Sequence, residues 1–122
     1  MGAKKIFIID DDHNSVAALK EFLLVAGYEV NAAFDGKEGL EKIKIYLPDL
    51  ILLDLVLPDQ SGFRIAQEIR DMPEYANIPI IAISLKREEV DKHIAAKSGI
   101  ADYIEKPIDY QKLLFSIKDI LK

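Results

Sequence analysis

Five side chains in this sequence could do chemistry together, because each follows a short run of apolar residues. They are Asp10, Asp11, Asp54, Ser84 and Lys106. Short apolar runs rich in β-branched residues are typical of strands buried on both faces of a parallel sheet. Since the carboxyl ends of parallel strands lie at one edge of the sheet, we expect these five side chains to converge there.

A cluster of this composition predicts a metal-assisted reaction of a phosphoryl group. Three carboxylates repel one another, and a bound divalent cation relieves that repulsion. Oxygen ligands without cysteine or histidine favour a hard ion, Mg²⁺ or in its place Mn²⁺. The cation would allow an anionic substrate to approach an acidic site. Lys106 and the Ser84 hydroxyl would contact the phosphoryl oxygens, and Asp54 is the candidate nucleophile.

The elements that must position these residues form five rounds of a strand followed by a helix. The predicted strands are Lys5–Ile9, Tyr28–Phe34, Leu50–Asp54, Ile80–Ser84 and Ala101–Ile104. The predicted helices run from Asp12 or Asn14 to Gly27, from Lys37 to Tyr46, from Ser61 to about Arg70, from Arg87 to Ser98, and onward from Asp109. This alternation predicts an α/β fold in which one five-stranded parallel sheet carries five helices on its two faces.

Helical spacing also predicts which residues face the core. On the first helix the apolar stripe consists of Val16, Leu19, Phe22, Leu23 and Ala26. On the second helix it consists of Leu40, Ile43 and Leu47, after which Pro48 ends the helix.

Composition excludes several classes of protein. The chain has 21 acidic and 16 basic residues and a net charge of −5, which disfavours direct nucleic-acid binding. It has no cysteine, no apolar stretch near the roughly 18 residues of a membrane span, and no signal-like leader. We therefore expect a cytoplasmic protein without membrane insertion. We also expect residues 1–122 to form a single domain without a further domain, and it stays open whether this domain acts alone or was cut from a larger protein.

Several motifs resemble the receiver domain of two-component response regulators. They are Ile9-Asp10-Asp11, Leu53-Asp54 with Pro58-Asp59 and Gly62, Ile83-Ser84, and Asp102-Tyr103-Ile104-Glu105-Lys106-Pro107. The ordered set covers essentially the whole chain. The resemblance implies a flavodoxin-like, doubly wound sheet with the strand order 2-1-3-4-5.

The resemblance also implies a role for each motif residue. Asp54 would be the phosphoacceptor. Asp11, Asp54 and the backbone carbonyl of Val56 would bind Mg²⁺, with assistance from Asp10. Ser84 would form a hydrogen bond to the phosphoryl group. Tyr103 would be an aromatic switch that turns inward when Ser84 moves. The peptide bond between Lys106 and Pro107 would be cis.

The same resemblance implies partners and an output. A sensor histidine kinase or histidine phosphotransfer protein would donate the phosphoryl group. The fourth helix, fifth strand and fifth helix would form a face that changes on phosphorylation and meets a downstream protein effector. Such a domain is not a turnover enzyme in the usual sense, since it catalyses its own phosphorylation and slow autodephosphorylation.

Departures from the family pattern leave alternatives open. Leu85 is larger than the Ala or Gly that is common at this position. The alternative function is therefore a pseudo-receiver, which is not phosphorylated and acts as a protein-interaction module. Val56 and Lys86 do not obviously position an attacking water, so we expect a fairly long-lived phosphoryl group. Two other functions are disfavoured. A Mg²⁺-dependent phosphatase would need an acid at the position of Val56, and the acids from Asp10 to Asp12 would repel the phosphate of a flavin carrier.

Two further polar residues receive simple interpretations. His13 is interpreted as a solvated residue and Asp59 as a loop residue.

Overall fold

Five parallel strands form one sheet in the order β2-β1-β3-β4-β5. A computed structural model describes residues 2–85 and 99–122 of the chain. The strands are β1 (Lys5–Ile9), β2 (Glu29–Ala33), β3 (Leu50–Asp54), β4 (Ile80–Ser84) and β5 (Ile100–Glu105). All four neighbouring pairs are parallel, so their carboxyl ends share one edge. The predicted α/β fold and flavodoxin-like strand order are confirmed.

Four helices are described, and each begins directly after a side chain that caps it. The helices are α1 (His13–Val25), α2 (Gly36–Tyr46), α3 (Gly62–Asp71) and α4 (Tyr110–Leu121). Their caps are Asp12, Asp35, Ser61 and Asp109, each of which accepts at least one backbone N–H of the first turn. The predicted helix from Arg87 to Ser98 lies outside the described residues. None of the four described helices is long and apolar enough to cross a bilayer.

The sheet separates two hydrophobic cores, because successive side chains of a strand point to opposite faces. On β1, Ile6 and Ile8 pack in the core that α1 and α4 cover. Phe7 and Ile9 pack in the core that α2 and α3 cover. All four side chains are fully buried, which contributes about 1.5–3 kcal/mol each. For this reason β3 and β4 are apolar up to their last residues, which are Asp54 and Ser84.

Side chains cap the backbone at both open edges of the sheet. On β2, the Ala32 N–H donates to Oδ1 of Asn31 at 2.8 Å, and Nζ of Lys42 donates to the Ala32 carbonyl at 3.0 Å. On β5, the Tyr103 N–H donates to Oδ1 of Asp102 at 2.7 Å. Hydrogen-bonding groups that would otherwise invite another strand are thereby occupied.

Two predictions about the core are wrong, and both concern the last residue of a helical stripe. Ile43 is buried as predicted, but Leu47 is 56% exposed. The helix ends there because Pro48 disfavours the right-handed helical conformation of the preceding residue, and Leu47 caps α2 in the left-handed conformation, with φ of 53°. Ala26 is likewise an exposed residue at the end of α1. A stripe therefore stops contributing to the core where the helix itself stops.

Arg70, near the end of α3, organises the connection to β4. Its guanidinium donates to the backbone carbonyls of Ala76 at 2.9 Å, Ile78 at 2.6 Å and Gly99 at 3.1 Å. The planar fork of donors suits several carbonyls at once. Burial lowers the pKa of Arg70. This side chain therefore connects the turn before β4 to the residue before β5.

Gly62, the first residue of α3, lies directly against the end of β3. A Cβ at this position would come within 2.4 Å of the Asp54 carbonyl oxygen and 2.6 Å of the Leu55 Cα. Both are backbone atoms and cannot rotate away.

We therefore expect Gly62→Ala to lower the free energy of unfolding by about 1–3 kcal/mol, as overpacking does elsewhere. Urea denaturation followed by circular dichroism measures it. Gly2→Ala is the control, since nothing lies within 4 Å of a Cβ there. Equal stability of the two variants would contradict this account of the contact.

Candidate functional site

The acids after β1 differ in burial and in what they bind. Asp10 is 3% exposed, and its Oδ1 accepts the Asp12 N–H at 3.0 Å. Asp12 is exposed and caps α1 by accepting the N–H groups of Asn14 and Ser15. Asp11, between them, is exposed. The strand end therefore offers one buried carboxylate, one exposed carboxylate and one that belongs to the helix cap.

Asp54 ends β3 beside this group. It is 6% exposed, and its Oδ1 accepts the Val56 N–H at 2.9 Å. The register that pairs Ile9 with Leu53 brings Asp10 and Asp54 side by side on neighbouring strands. Two carboxylates that are 44 positions apart in the sequence (54 − 10 = 44) thus become direct neighbours at the sheet edge.

Lys106 joins the two buried carboxylates. Its Nζ donates to Oδ2 of Asp54 at 3.1 Å and to Oδ2 of Asp10 at 3.2 Å. Its backbone N–H donates to the Ser84 carbonyl, which attaches the residue to the end of β4. The peptide bond to Pro107 is cis, as the resemblance implies.

Burial and charge act on these groups in opposite directions. Burial lowers the pKa of the Lys106 ammonium, but its hydrogen bonds and attraction to Asp54 and Asp10 outweigh burial and raise the pKa overall. Burial raises the pKa of Asp10, and the nearby charge of Asp54 adds to it, although the Asp12 N–H and Lys106 oppose the rise. Lys106 therefore stays charged while Asp10 is held as a carboxylate at some cost.

Three carboxylates approach closely enough to share a cation. Oxygens of Asp10, Asp11 and Asp54 all lie within 4.8 Å of one another. Lys106 pairs with Asp10 and Asp54, so among these four side chains of the described residues three carboxylates meet one ammonium. An all-oxygen donor set with this charge fits a hard divalent ion.

The site opens to solvent through a cavity of about 300 Å³. Its lining consists of Asp11, Asp12, Asp54, Val56, Leu85 and Lys106. The Val56 and Leu85 side chains are 70% and 75% exposed and give the cavity two apolar walls. A small anion could reach Asp54 through this opening although the carboxylate is buried.

The two predicted switch residues lie on β4 and β5 at different depths. Ser84 ends β4 and is 7% exposed, so it reaches the same edge as Asp54. Tyr103 is half-buried on β5, where it pairs in register with Ala82. It therefore lies two residues below the edge at which Ser84 pairs with Glu105.

Asp59 has a partner that its loop position did not reveal. Its carboxylate accepts the Gly36 N–H at 2.9 Å and the Lys37 N–H at 3.0 Å, both in the first turn of α2. The two segments are separated by 22 or more residues, so only the fold brings them together.

His13, at the start of α1, is exposed as predicted. Its ring stacks on that of Phe34, with 3.8 Å between the ring centroids.

Comparison with known proteins agrees with this arrangement. Residues 6–118 match the family model described as the response regulator receiver domain. The chain belongs to this family. A receiver domain is a component of two-component signal transduction, and the predicted resemblance is thereby confirmed.

Two relatives of this receiver domain are named as regulators. The chain is 35% identical over 119 residues to the alkaline phosphatase synthesis transcriptional regulatory protein PhoP of Bacillus subtilis, covering 98% of this chain and 49% of the relative. It is 37% identical over 118 residues to the response regulator ArlR of Staphylococcus aureus, covering 97% and 52%. The chain thus spans about half the length of these relatives.

Solved structures share the fold over nearly their whole length. The chemotaxis protein CheY4 of Vibrio cholerae superposes with a TM-score of 0.94 at 27% identity. The superposition covers 98% of this chain and 100% of CheY4. A CheY-like receiver domain protein of Methanospirillum hungatei gives 0.92 at 30% identity, covering 98% and 94%.

Replacement of Lys106 tests the electrostatics of the site. In Lys106→Met the buried Asp10 and Asp54 lose their cation, and we expect a loss of about 3 kcal/mol near pH 7 without divalent ions. A carboxyl whose pKa is raised by folding binds protons more tightly in the folded state, so stability falls as pH rises through that pKa. The loss should therefore shrink as the pH is lowered from 7 toward the raised pKa of Asp10.

Denaturant unfolding of Lys106→Met across this pH range, in the presence of a chelator, measures the effect. Lys122→Met is the control, because Lys122 forms only an exposed pair with Asp119 among the contacts described. A loss in Lys106→Met that is independent of pH would show that its cause is packing and not charge.

Proposed function

We propose that this receiver domain is a phosphorylation switch in which Asp54 accepts the phosphoryl group. One observation carries the proposal: the Asp54 carboxylate, at the base of an open cavity, is hydrogen-bonded to Lys106 and adjoins Asp10 and Asp11. These contacts support a role of Asp54 as the nucleophile, with Lys106 as a nearby cation and an acidic surrounding that suits a divalent ion.

The reaction exchanges one bond to phosphorus for another. A carboxylate oxygen of Asp54 bonds to phosphorus as the bond from phosphorus to the imidazole nitrogen of the donor breaks. The electron pair of the broken bond stays on that nitrogen, so no oxidant or reductant takes part. Lys106 is close enough to Asp54 to donate to a phosphoryl oxygen once the group is attached. The acids of the site would hinder this reaction unless their charge were offset.

Asp10, Asp11, Asp54 and the backbone carbonyl of Val56 would hold Mg²⁺, with Mn²⁺ as a substitute. The bound ion would neutralise the phosphoryl oxygens and the excess negative charge of the site. Lys106 and the hydroxyl of Ser84 would add charge-assisted hydrogen bonds to the phosphoryl group.

We infer that Ser84 and Tyr103 carry the change from the site to the surface. To move a two-state equilibrium from mostly inactive to mostly active takes about 5.5 kcal/mol of differential stabilisation. A few charge-assisted bonds from Ser84, Lys106 and the ion are of this order. The output surface would include β5 with Tyr103, α4 and the predicted helix from Arg87 to Ser98.

The proposed donor is a sensor histidine kinase or histidine phosphotransfer protein, and the proposed receiver of the signal is a downstream protein effector in the cytoplasm. One relative is named as a response regulator, which supports a histidine kinase as the class of donor. For these 122 residues we propose no direct contact with nucleic acid, because their net charge is −5. The domain would phosphorylate itself from a donor and lose the group slowly, without multiple turnover of a substrate.

Replacement of Asp54 tests the acceptor. With a small acyl-phosphate donor and Mg²⁺, intact mass spectrometry should show the gain of one phosphoryl group in the unmodified chain and none in Asp54→Ala. Asp71→Asn is the control, since this exposed acid lies at the end of α3. A gain that survives in Asp54→Ala would exclude Asp54 as the acceptor, and no gain in any chain would favour the pseudo-receiver.

The apolar walls of the cavity predict the lifetime of the phosphoryl group. Neither Val56 nor Leu85 can orient a water molecule for attack, so we expect the isolated phosphoprotein to decay over minutes and not within seconds. In Val56→Asn the side-chain amide can hold such a water, and decay should be faster. Val25→Asn is a matched control at an exposed valine of α1. Decay of the unmodified phosphoprotein within seconds would contradict this prediction.

A further inference from the structure

The loop between β3 and α3 is closed by backbone hydrogen bonds at its base. Val56 and Ser61 form an isolated antiparallel bridge, and the Gly62 N–H donates to the Leu55 carbonyl at 3.0 Å. These contacts make residues 55–62 a narrow hairpin whose tip carries Asp59. Val56, whose carbonyl is a proposed ligand of the divalent ion, lies at the base of this hairpin.

The tip of the hairpin is attached to α2. Each carboxylate oxygen of Asp59 accepts a different N–H of the helix, that of Gly36 at 2.9 Å and that of Lys37 at 3.0 Å. These hydrogen bonds, that of Gly36 foremost, lower the pKa of Asp59, so it is ionised at neutral pH. The negative charge therefore meets the positive end of an eleven-residue helix.

The backbone of Gly36 also lies close to side chains of the hairpin and of α3. A Cβ on Gly36 would come within 3.0 Å of the Gln60 side chain and 2.6 Å of Cδ1 of Ile65. The first turn of α2 therefore packs directly on the hairpin tip and on α3. Two hydrogen bonds and this contact together hold the tip in one position.

The helix does not depend on Asp59 for its local cap. Asp35 precedes α2 and already accepts the Glu38 N–H at 2.7 Å. Asp35 serves the helix without reaching the hairpin, whereas Asp59 joins the hairpin to the helix. The two acids thus cap one helix terminus with different structural consequences.

We propose that Asp59 is a positioning residue of the phosphorylation site. By fixing the hairpin tip to α2, it holds the Val56 carbonyl at the orientation in which it can bind the divalent ion. The inference rests on the proposed function, since it concerns the ion that the function requires. Support around a metal ligand commonly changes metal affinity by about 10–100-fold.

The test compares Asp59→Ala with Asp35→Ala in the full chain. Mg²⁺ alone is titrated and followed by isothermal calorimetry and by amide chemical shifts, which need no activity. Asp59→Ala should bind Mg²⁺ about tenfold more weakly, while Asp35→Ala should bind it as the unmodified chain does. Asp59→Asn keeps one acceptor oxygen and should recover part of the loss.

A thermal unfolding measurement separates positioning from simple stability. Each alanine variant removes a cap from the same helix, so both should melt a few degrees lower than the unmodified chain. Equal affinity for Mg²⁺ in Asp59→Ala and the unmodified chain would overturn the positioning role, and so would an equal loss in both variants. Failure of the unmodified chain to bind Mg²⁺ would overturn the proposed function itself, and the inference with it.

Discussion

Asp10 and Asp54 end neighbouring strands and are both buried, so their mutual repulsion has to be offset within the protein. The Nζ of Lys106 does so by lying within 3.2 Å of both carboxylates. Lys106 can reach them because β5 returns to the same edge and its backbone hydrogen-bonds to the end of β4. The compensation of two buried charges thus depends on three strands and on the parallel topology that brings their ends together.

Among the described side chains of the site this compensation is incomplete. One ammonium meets three carboxylates there, and the exposed Asp11 has the donor chemistry that a divalent ion would need. If side chains neutralised all the acids, the carboxylates would be paired with lysines and few oxygens would remain to bind a cation. To keep Asp10 ionised costs stability in the free protein, because burial, with a smaller contribution from the charge of Asp54, raises its pKa. Functional sites commonly retain unfavourable electrostatics of this kind.

The backbone around the site is constrained on more than one side. The Val56 N–H is directed to Asp54, Gly62 permits α3 to begin against the Asp54 carbonyl, and Asp59 attaches the intervening hairpin to α2. Helices on the same face of the sheet therefore meet the loop that carries the proposed metal ligand. The loop after Asp54 is thus packed against its neighbours, and packed interfaces tend to have discrete arrangements.

Much of this molecule could be predicted from residue order. The apolar runs from Ile6 to Ile9, Leu50 to Leu53 and Ile80 to Ile83 predict buried parallel strands, because only strands covered on both faces exclude polar residues so completely. The side chains after these runs predict the composition of the site, because parallel strands share one carboxyl edge. Helix caps such as Asp12 and Ser61 were predictable because they act on residues directly after them.

Contacts that depend on the relative placement of elements were decided by the tertiary structure. Whether Lys106 would contact Asp10 as well as Asp54 depends on strand register, and the exposure of Leu47 depends on the turn that Pro48 imposes. Asp59 followed a proline in a polar loop, and nothing near it in the sequence identified the N–H groups of Gly36 and Lys37 as its partners. Residue types and local spacing determine strands, caps and the charge at the edge. Long-range pairing is settled only when the packed cores fix the distances between loops.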